Sequence, residues 1–131
     1  MTRPFDIIGH PDPGERRPFS RATRAGGLVF VSGHSAPHDP SRGIRRGATA
    51  AEQTREALAM VDGILREAGS SLDRAVQVTM LITDPADYDA CNAEYVKHFP
   101  NGLPARHTAR FGVPTEAKVA FACIALAGDA A

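Results

Sequence analysis

The chain has 131 residues, 43% hydrophobic and 23% charged. That is the composition of one globular domain, 1–131, large enough to fold without staples, and not of a disordered or low-complexity chain. Lys+Arg 15 against Asp+Glu 15 leaves no net charge, so no global field draws the protein to nucleic acid, and no nucleic-acid partner is expected. No apolar run reaches membrane-spanning length, and Met1 to Asp6 lack the hydrophobic core of a signal peptide; a soluble cytoplasmic protein is the expectation.

Residues 1–18 are rich in Pro, Gly and charge without a sustained period, and read as an irregular lead-in. Two short strands follow around Ala25-Gly26-Gly27, the second being Leu28-Val29-Phe30-Val31 running into Ser32-Gly33, which signals a hairpin. His34 to Gly47 is a Pro- and Gly-punctuated loop with room for one short strand at Gly43 to Arg45. Thr49-Ala50-Ala51-Glu52 has capping-box spacing, and Leu58, Val61, Ile64, Leu65 and Ala68 form one helical stripe that Gly69 ends. Ala75 to Thr83 reads as a strand with Val76, Val78, Met80 and Ile82 facing one way, and Asp84-Pro85 starts a second helix running to about Phe99. After Pro100-Asn101-Gly102 come a strand at Ala105 to Phe111, a turn at Gly112-Val113-Pro114, and a strand at Lys118 to Leu126, apolar at nearly every position and so expected to be covered on both faces. The order ββαβαββ makes an α+β sandwich: a mixed sheet with two helices on one face. No elements remain to cover the other face, so self-association is the physical expectation.

Four features could carry chemistry. Arg106, on a strand after a turn, can present a planar fork to a carboxylate, or be a plain surface charge. Alternation sets Arg106, Thr108 and Arg110 on one face and His107 on the other, where it packs or lines an interface. Ser32-Gly33-His34 offers a hydroxyl and an open backbone at a strand end, or is an ordinary strand end. Asn92 shares a helical stripe with Tyr88, Tyr95 and Phe99, and either holds a neighbouring backbone segment or lines a pocket. Arg42, Arg45 and Arg46, with Arg16, Arg17, Arg21 and Arg24 upstream, form a basic cluster without interleaved aromatics, which reads as a solvated loop rather than an RNA site. His34 and His38 lack a third ligand, and Cys91 and Cys123 fit no CxxC or metal spacing and read as small buried hydrophobes. No metal and no cofactor are expected.

The series Pro18-Phe19-Ser20, Leu28 to Gly33, Glu52-Gln53-Thr54-Arg55, Ala68 to Asp73, Asn92-Ala93-Glu94-Tyr95 and Pro104-Ala105-Arg106 resembles the Rid family (RidA, or YjgF/YER057c/UK114) over about Pro18 to Leu126. The resemblance implies a chorismate-mutase-like sandwich assembled as a homotrimer around a central barrel, with ligand clefts between subunits. It implies hydrolysis of reactive enamines and imines, such as 2-aminoacrylate, to 2-keto acids and ammonia. Arg106 would grip the carboxylate of a small metabolite, with Ser32, Gly33, the backbone at Thr108, Asn92 and Phe19 lining the cleft.

Two positions depart from the family pattern. The last-strand Glu associated with orienting water is replaced in Val119-Ala120-Phe121-Ala122-Cys123-Ile124, where Ala122 is matched to it, and Glu116 is too far along the chain to substitute unless its loop folds back. Phe19 stands where the family commonly has Tyr. His34 is then the candidate to activate water. The alternatives are a non-catalytic trimer that binds small carboxylates, for ligand sensing or as a pathway accessory, and the ribonuclease or translation-inhibitor activity sometimes attached to the family.

Overall fold

The computed structural model describes residues 3–9 and 17–128. Among these residues six strands form one sheet in the order β1-β2-β3-β6-β4-β5: β1 Asp6–Ile8, β2 Ala22–Ala25, β3 Leu28–Ser35, β4 Ala75–Ile82, β5 Ala105–Arg110 and β6 Val119–Leu126. All neighbours are antiparallel except β4 and β5, which α2 (Tyr88–Tyr95) joins as a parallel crossover. The mixed sheet of the sequence reading is present.

Local signals explain the best-defined pieces. Gly26 and Gly27, at φ 57° and 78°, make the two-residue turn between β2 and β3, where both central residues need the left-handed region. The helix α1, Ala50–Glu67, opens on a complete capping box: Thr49 Oγ1 accepts from the Glu52 N–H at 3.1 Å, and Glu52 Oε1 accepts from the Thr49 N–H at 3.2 Å. It closes at Gly69, φ 78°, with Ser70 N–H donating to Leu65 O and Gly69 N–H to Arg66 O. Thr49→Ala should lower stability by about 1 kcal/mol, read as an earlier midpoint in urea unfolding at unchanged m-value.

The core lies between the sheet and the helices. Val29 and Val31 of β3, Val78, Met80 and Ile82 of β4, and Val119, Phe121, Cys123 and Ala125 of β6 meet Leu58, Val61, Ile64 and Leu65 of α1 and Cys91 and Tyr95 of α2. The other face carries Leu28, Phe30, Leu81, Ala122, Ile124 and Leu126, which are half-buried or exposed.

The sequence expectations change in five places. The lead-in contains β1, an edge strand that makes the order βββαβαββ; three residues, Asp6-Ile7-Ile8, are too few to show a period, and the rest of the lead-in lies partly outside the described residues. Val76 is exposed rather than aligned with Val78, because the ladder to β6 slips one residue between Ala75 and Gln77. β6 has full cover on one face only; among its open-face residues only Ala120 is fully buried. The second helix is regular only over Tyr88–Tyr95, with 3₁₀ turns at Pro85–Asp87 and Val96–His98. In place of a strand at Gly43 to Arg45 there is one bridge, Asp39 to Ile44, closed over a 3₁₀ turn at Pro40–Arg42.

Candidate functional site

The predicted ligand residues separate into two groups within one chain. Arg106 lies on the edge strand β5, opposite Val78 and therefore on the helix side of the sheet. Its guanidinium carbon sits 4.7 Å from the ring centre of Tyr95 and 5.9 Å from that of Tyr88, and Nη2 donates to Tyr88 Oη at 3.4 Å. The cation lies over the Tyr95 ring and touches the Tyr88 hydroxyl, which holds the guanidinium in place and leaves N–H donors to bind an anion. No carboxylate among the described residues pairs with it. Thr108, two residues along the strand and opposite Met80, is half-buried on the same side.

Asn92 lies between the two tyrosines on the same helical stripe, and its Oδ1 is buried without a partner among the described residues, as is the Tyr95 hydroxyl. Burial, partly opposed by the neighbouring Arg106 charge, pushes the Tyr95 phenol up to about 12, so the ring faces the cation as a neutral phenol. Sequence reasoning missed the tyrosine shelf as a unit. Its signal is the i, i+4, i+7 spacing of Tyr88, Asn92 and Tyr95, which served only to place Asn92.

Ser32, Gly33 and Phe19 come together elsewhere. They line an open groove of about 440 Å³ on the uncovered side of the sheet, with Leu81, Phe111 and Ala120. Ser32 Oγ donates to Ser20 O at 2.6 Å, which ties this hydroxyl to the chain beside Phe19. From β3 to β5 there are three strand spacings, about 14 Å, and the two groups face opposite sides of the sheet.

His34 does not join the groove. The β3–β6 ladder gains a residue between Val31 and His34, so His34 pairs with Phe121 on the helix side instead of following Ser32. It is buried, and its Nε2 donates to Arg21 O at 3.2 Å, a carbonyl being able only to accept. The groove-lining alanine is Ala120; Ala122, one pleat further along and opposite the bulge, does not line it. Glu116 does not fold back into the groove either: its carboxylate is 90% exposed and meets Arg46 Nη2 at 3.3 Å. The groove therefore presents apolar walls, one tethered hydroxyl and open backbone, with no acid or base side chain among the described residues that line it.

His107 faces the uncovered side, its Nε2 3.0 Å from Thr79 Oγ1. Cys91 and Cys123 are buried free thiols; burial pushes both up, Cys123 to about 12, so they act as small hydrophobes. Among the described residues no three His, Cys, Asp or Glu side chains converge to hold a metal ion, and no helix is long and apolar enough to cross a membrane.

The family model described as endoribonuclease L-PSP matches residues 10–127. The chain is 34% identical over 120 residues to the 3-aminoacrylate deaminase RutC of Acinetobacter baylyi, covering 91% of this chain and 94% of that one. It is 33% identical over 114 residues to the chloroplastic Reactive Intermediate Deaminase A of Arabidopsis thaliana, covering 86% of this chain and 60% of that one. A crystal structure of a YjgF-family protein from Neisseria meningitidis superposes with a TM-score of 0.79 at 28% identity, over 96% of this chain and 97% of that one.

Proposed function

Because this chain belongs to the YjgF/Rid family, we propose that it is an enamine/imine deaminase. It hydrolyses small 2-enamino or 2-imino carboxylates to 2-keto acids and ammonia. The observation that carries the reading is Arg106: a guanidinium held between the Tyr95 ring and the Tyr88 hydroxyl, without a carboxylate partner among the described residues. The names of the two deaminase relatives support the reaction class.

The chemistry asks little of the protein. A 2-enamine takes a proton at C3 to become the imine, whose C2 is already electrophilic. Water adds at C2, its proton passes to nitrogen, and the resulting carbinolamine expels ammonia and leaves the keto acid. Fixing the carboxylate on Arg106 aligns C2, and hydrogen bonds from backbone at Gly33 and Thr108 can position the water. Arg106 and Ser32–Gly33 lie on opposite sides of one chain's sheet, so the cleft forms between copies. A homotrimer buries the apolar uncovered face, where Phe30 and Leu126 are exposed. The whole chain acts as one Rid-like domain, without a cofactor, in the cytoplasm, a compartment compatible with its two free thiols.

A second reading, a trimer that binds small carboxylates without turnover, draws on the groove itself, where Ala120 supplies no carboxylate, and on Ala122 one pleat along, which supplies none either. A ribonuclease would need an acid/base pair and a basic face; zero net charge and the apolar groove weigh against it. The test follows keto acid release from 2-aminoacrylate generated in solution, with calorimetry against pyruvate and sedimentation in parallel. A deaminase shortens the lifetime of 2-aminoacrylate in proportion to protein concentration and sediments as a trimer. Pyruvate binding without acceleration would replace it with the binder.

A further inference from the structure

The arginine cluster that the reaction leaves unused is gathered around a second cavity. Arg17 and Arg21, before β2, and Arg46, from the loop before α1, line a space of about 280 Å³ together with His34, His38 and Met60. No Asp or Glu among the described residues lines it. In a chain of zero net charge, three guanidiniums around one cavity are a local concentration rather than an overflow of basic residues.

We propose that this cavity is a binding site for a small phosphate-bearing anion. Arg46 is only 18% exposed, and the one carboxylate it meets among the described residues, Glu116, stands 90% exposed at the rim. Arg21 makes no ion pair with any described residue: Nη2 approaches the Met60 sulfur at 3.9 Å, a weak acceptor for a guanidinium. The Glu67 carboxylate approaches Gly9 beside the Arg21 side chain without forming an ion pair with it. His38 Nδ1 accepts from the Arg46 backbone N–H at 3.1 Å, which in the neutral ring puts the proton on Nε2 and makes that nitrogen a donor. His34 Nε2 fixes the Arg21 backbone from below.

Arg21 and Arg46 bring two positive charges to a partly desolvated space where one exposed carboxylate offsets them, and a bound phosphate dianion supplies the negative charge that is missing. A phosphomonoester carries nearly two charges at neutral pH, and its oxygens match guanidinium forks. The volume is at the small end for ligand pockets, which fits inorganic phosphate or a phosphate on a short organic tail rather than a polymer. The cavity opens on the helix side of the sheet, away from the Ser32–Phe19 groove; Gly33, at the β3 bulge, borders both.

Calorimetry in low-salt buffer with inorganic phosphate, then with ribose 5-phosphate, tests the site. Expected is saturable binding of one phosphate per chain that weakens with added salt. Arg21→Gln and Arg46→Gln should each weaken it by about tenfold, while Arg42→Gln, outside the cavity, leaves it unchanged. Met60→Glu, which places a resident carboxylate beside Arg21, should abolish it. Each variant enters the comparison with a wild-type circular dichroism spectrum, and Arg46, on a loop, keeps the test open if Arg21→Gln does not fold. The proposal is overturned by no binding of either probe at about 10 mM, by affinity unchanged in Arg46→Gln, or by loss of binding in Arg106→Ala alone. The last result would assign the phosphate to the deaminase cleft and leave that reading intact.

Discussion

Arg106→Ala is expected to lower kcat/KM for 2-aminoacrylate hydrolysis by about 100-fold and to remove measurable binding of pyruvate. The size follows from the hydrogen bonds that the guanidinium makes to the substrate. A bidentate pair comprises two charge-assisted hydrogen bonds at about 1.5–3 kcal/mol each, discounted for water that replaces them, against 1.4 kcal/mol per factor of ten. Arg106→Lys keeps the charge but not the planar fork or its stacking on Tyr95 and should recover only about tenfold of the loss. Tyr88→Phe removes the 3.4 Å hydrogen bond and keeps the ring, so its effect should stay within about threefold. Folding is not at issue in this series, because Arg106 is half-buried on an edge strand. Keto acid formation at subsaturating substrate measures all three. Wild-type kinetics in Arg106→Ala would remove the clamp and, with it, the observation on which the deaminase reading rests.

What could be read from the sequence was set by how locally each feature is determined. The capping box, the Gly69 stop and the Gly26-Gly27 turn are fixed within six residues of chain, and all three are present as expected. The faces of strands are not local in the same way. Alternation counts residues as if the ladder were unbroken, and each of the two bulges, at Ser32–Gly33 and before Gln77, puts the side chains on its two sides out of step. Hence Val76 turned outward and His34 moved from the groove to the helix side. The two bulges arise in pairing with β6, which joins the sheet more than forty residues later in the chain than either. The site divides in the same way. Arg106, Ser32 and Gly33 were identifiable as residue types, but inserting β6 and β4 between β3 and β5 decides that one chain cannot bring them together.

The groove gives the sharper experiment on catalysis. Ala120 lies between Ser35 on β3 and Leu81 on β4 and lines the groove beside Ser32 and Gly33. Ala122 pairs with Thr79, on the same face but about 6–7 Å further along the strand. A carboxylate at 120 would face the water that attacks C2, and a positioned general base contributes about 10²–10⁴ in rate. Ala120→Glu should therefore raise kcat for 2-aminoacrylate by about 100-fold, while Ala122→Glu stays near wild type. Apolar walls disfavour the charged form, so the introduced carboxylate should titrate above its ordinary value near 4.3. The gain should then be absent well below that shifted value and develop as pH rises through it, a limb that wild-type turnover lacks. Should Ala122→Glu gain instead, the catalytic water stands opposite the bulge rather than beside Leu81. Should wild type and both variants alike fail to shorten the lifetime of 2-aminoacrylate while Arg106→Ala still abolishes pyruvate binding, the cleft grips acids without hydrolysing them, and the non-catalytic binder is the correct account.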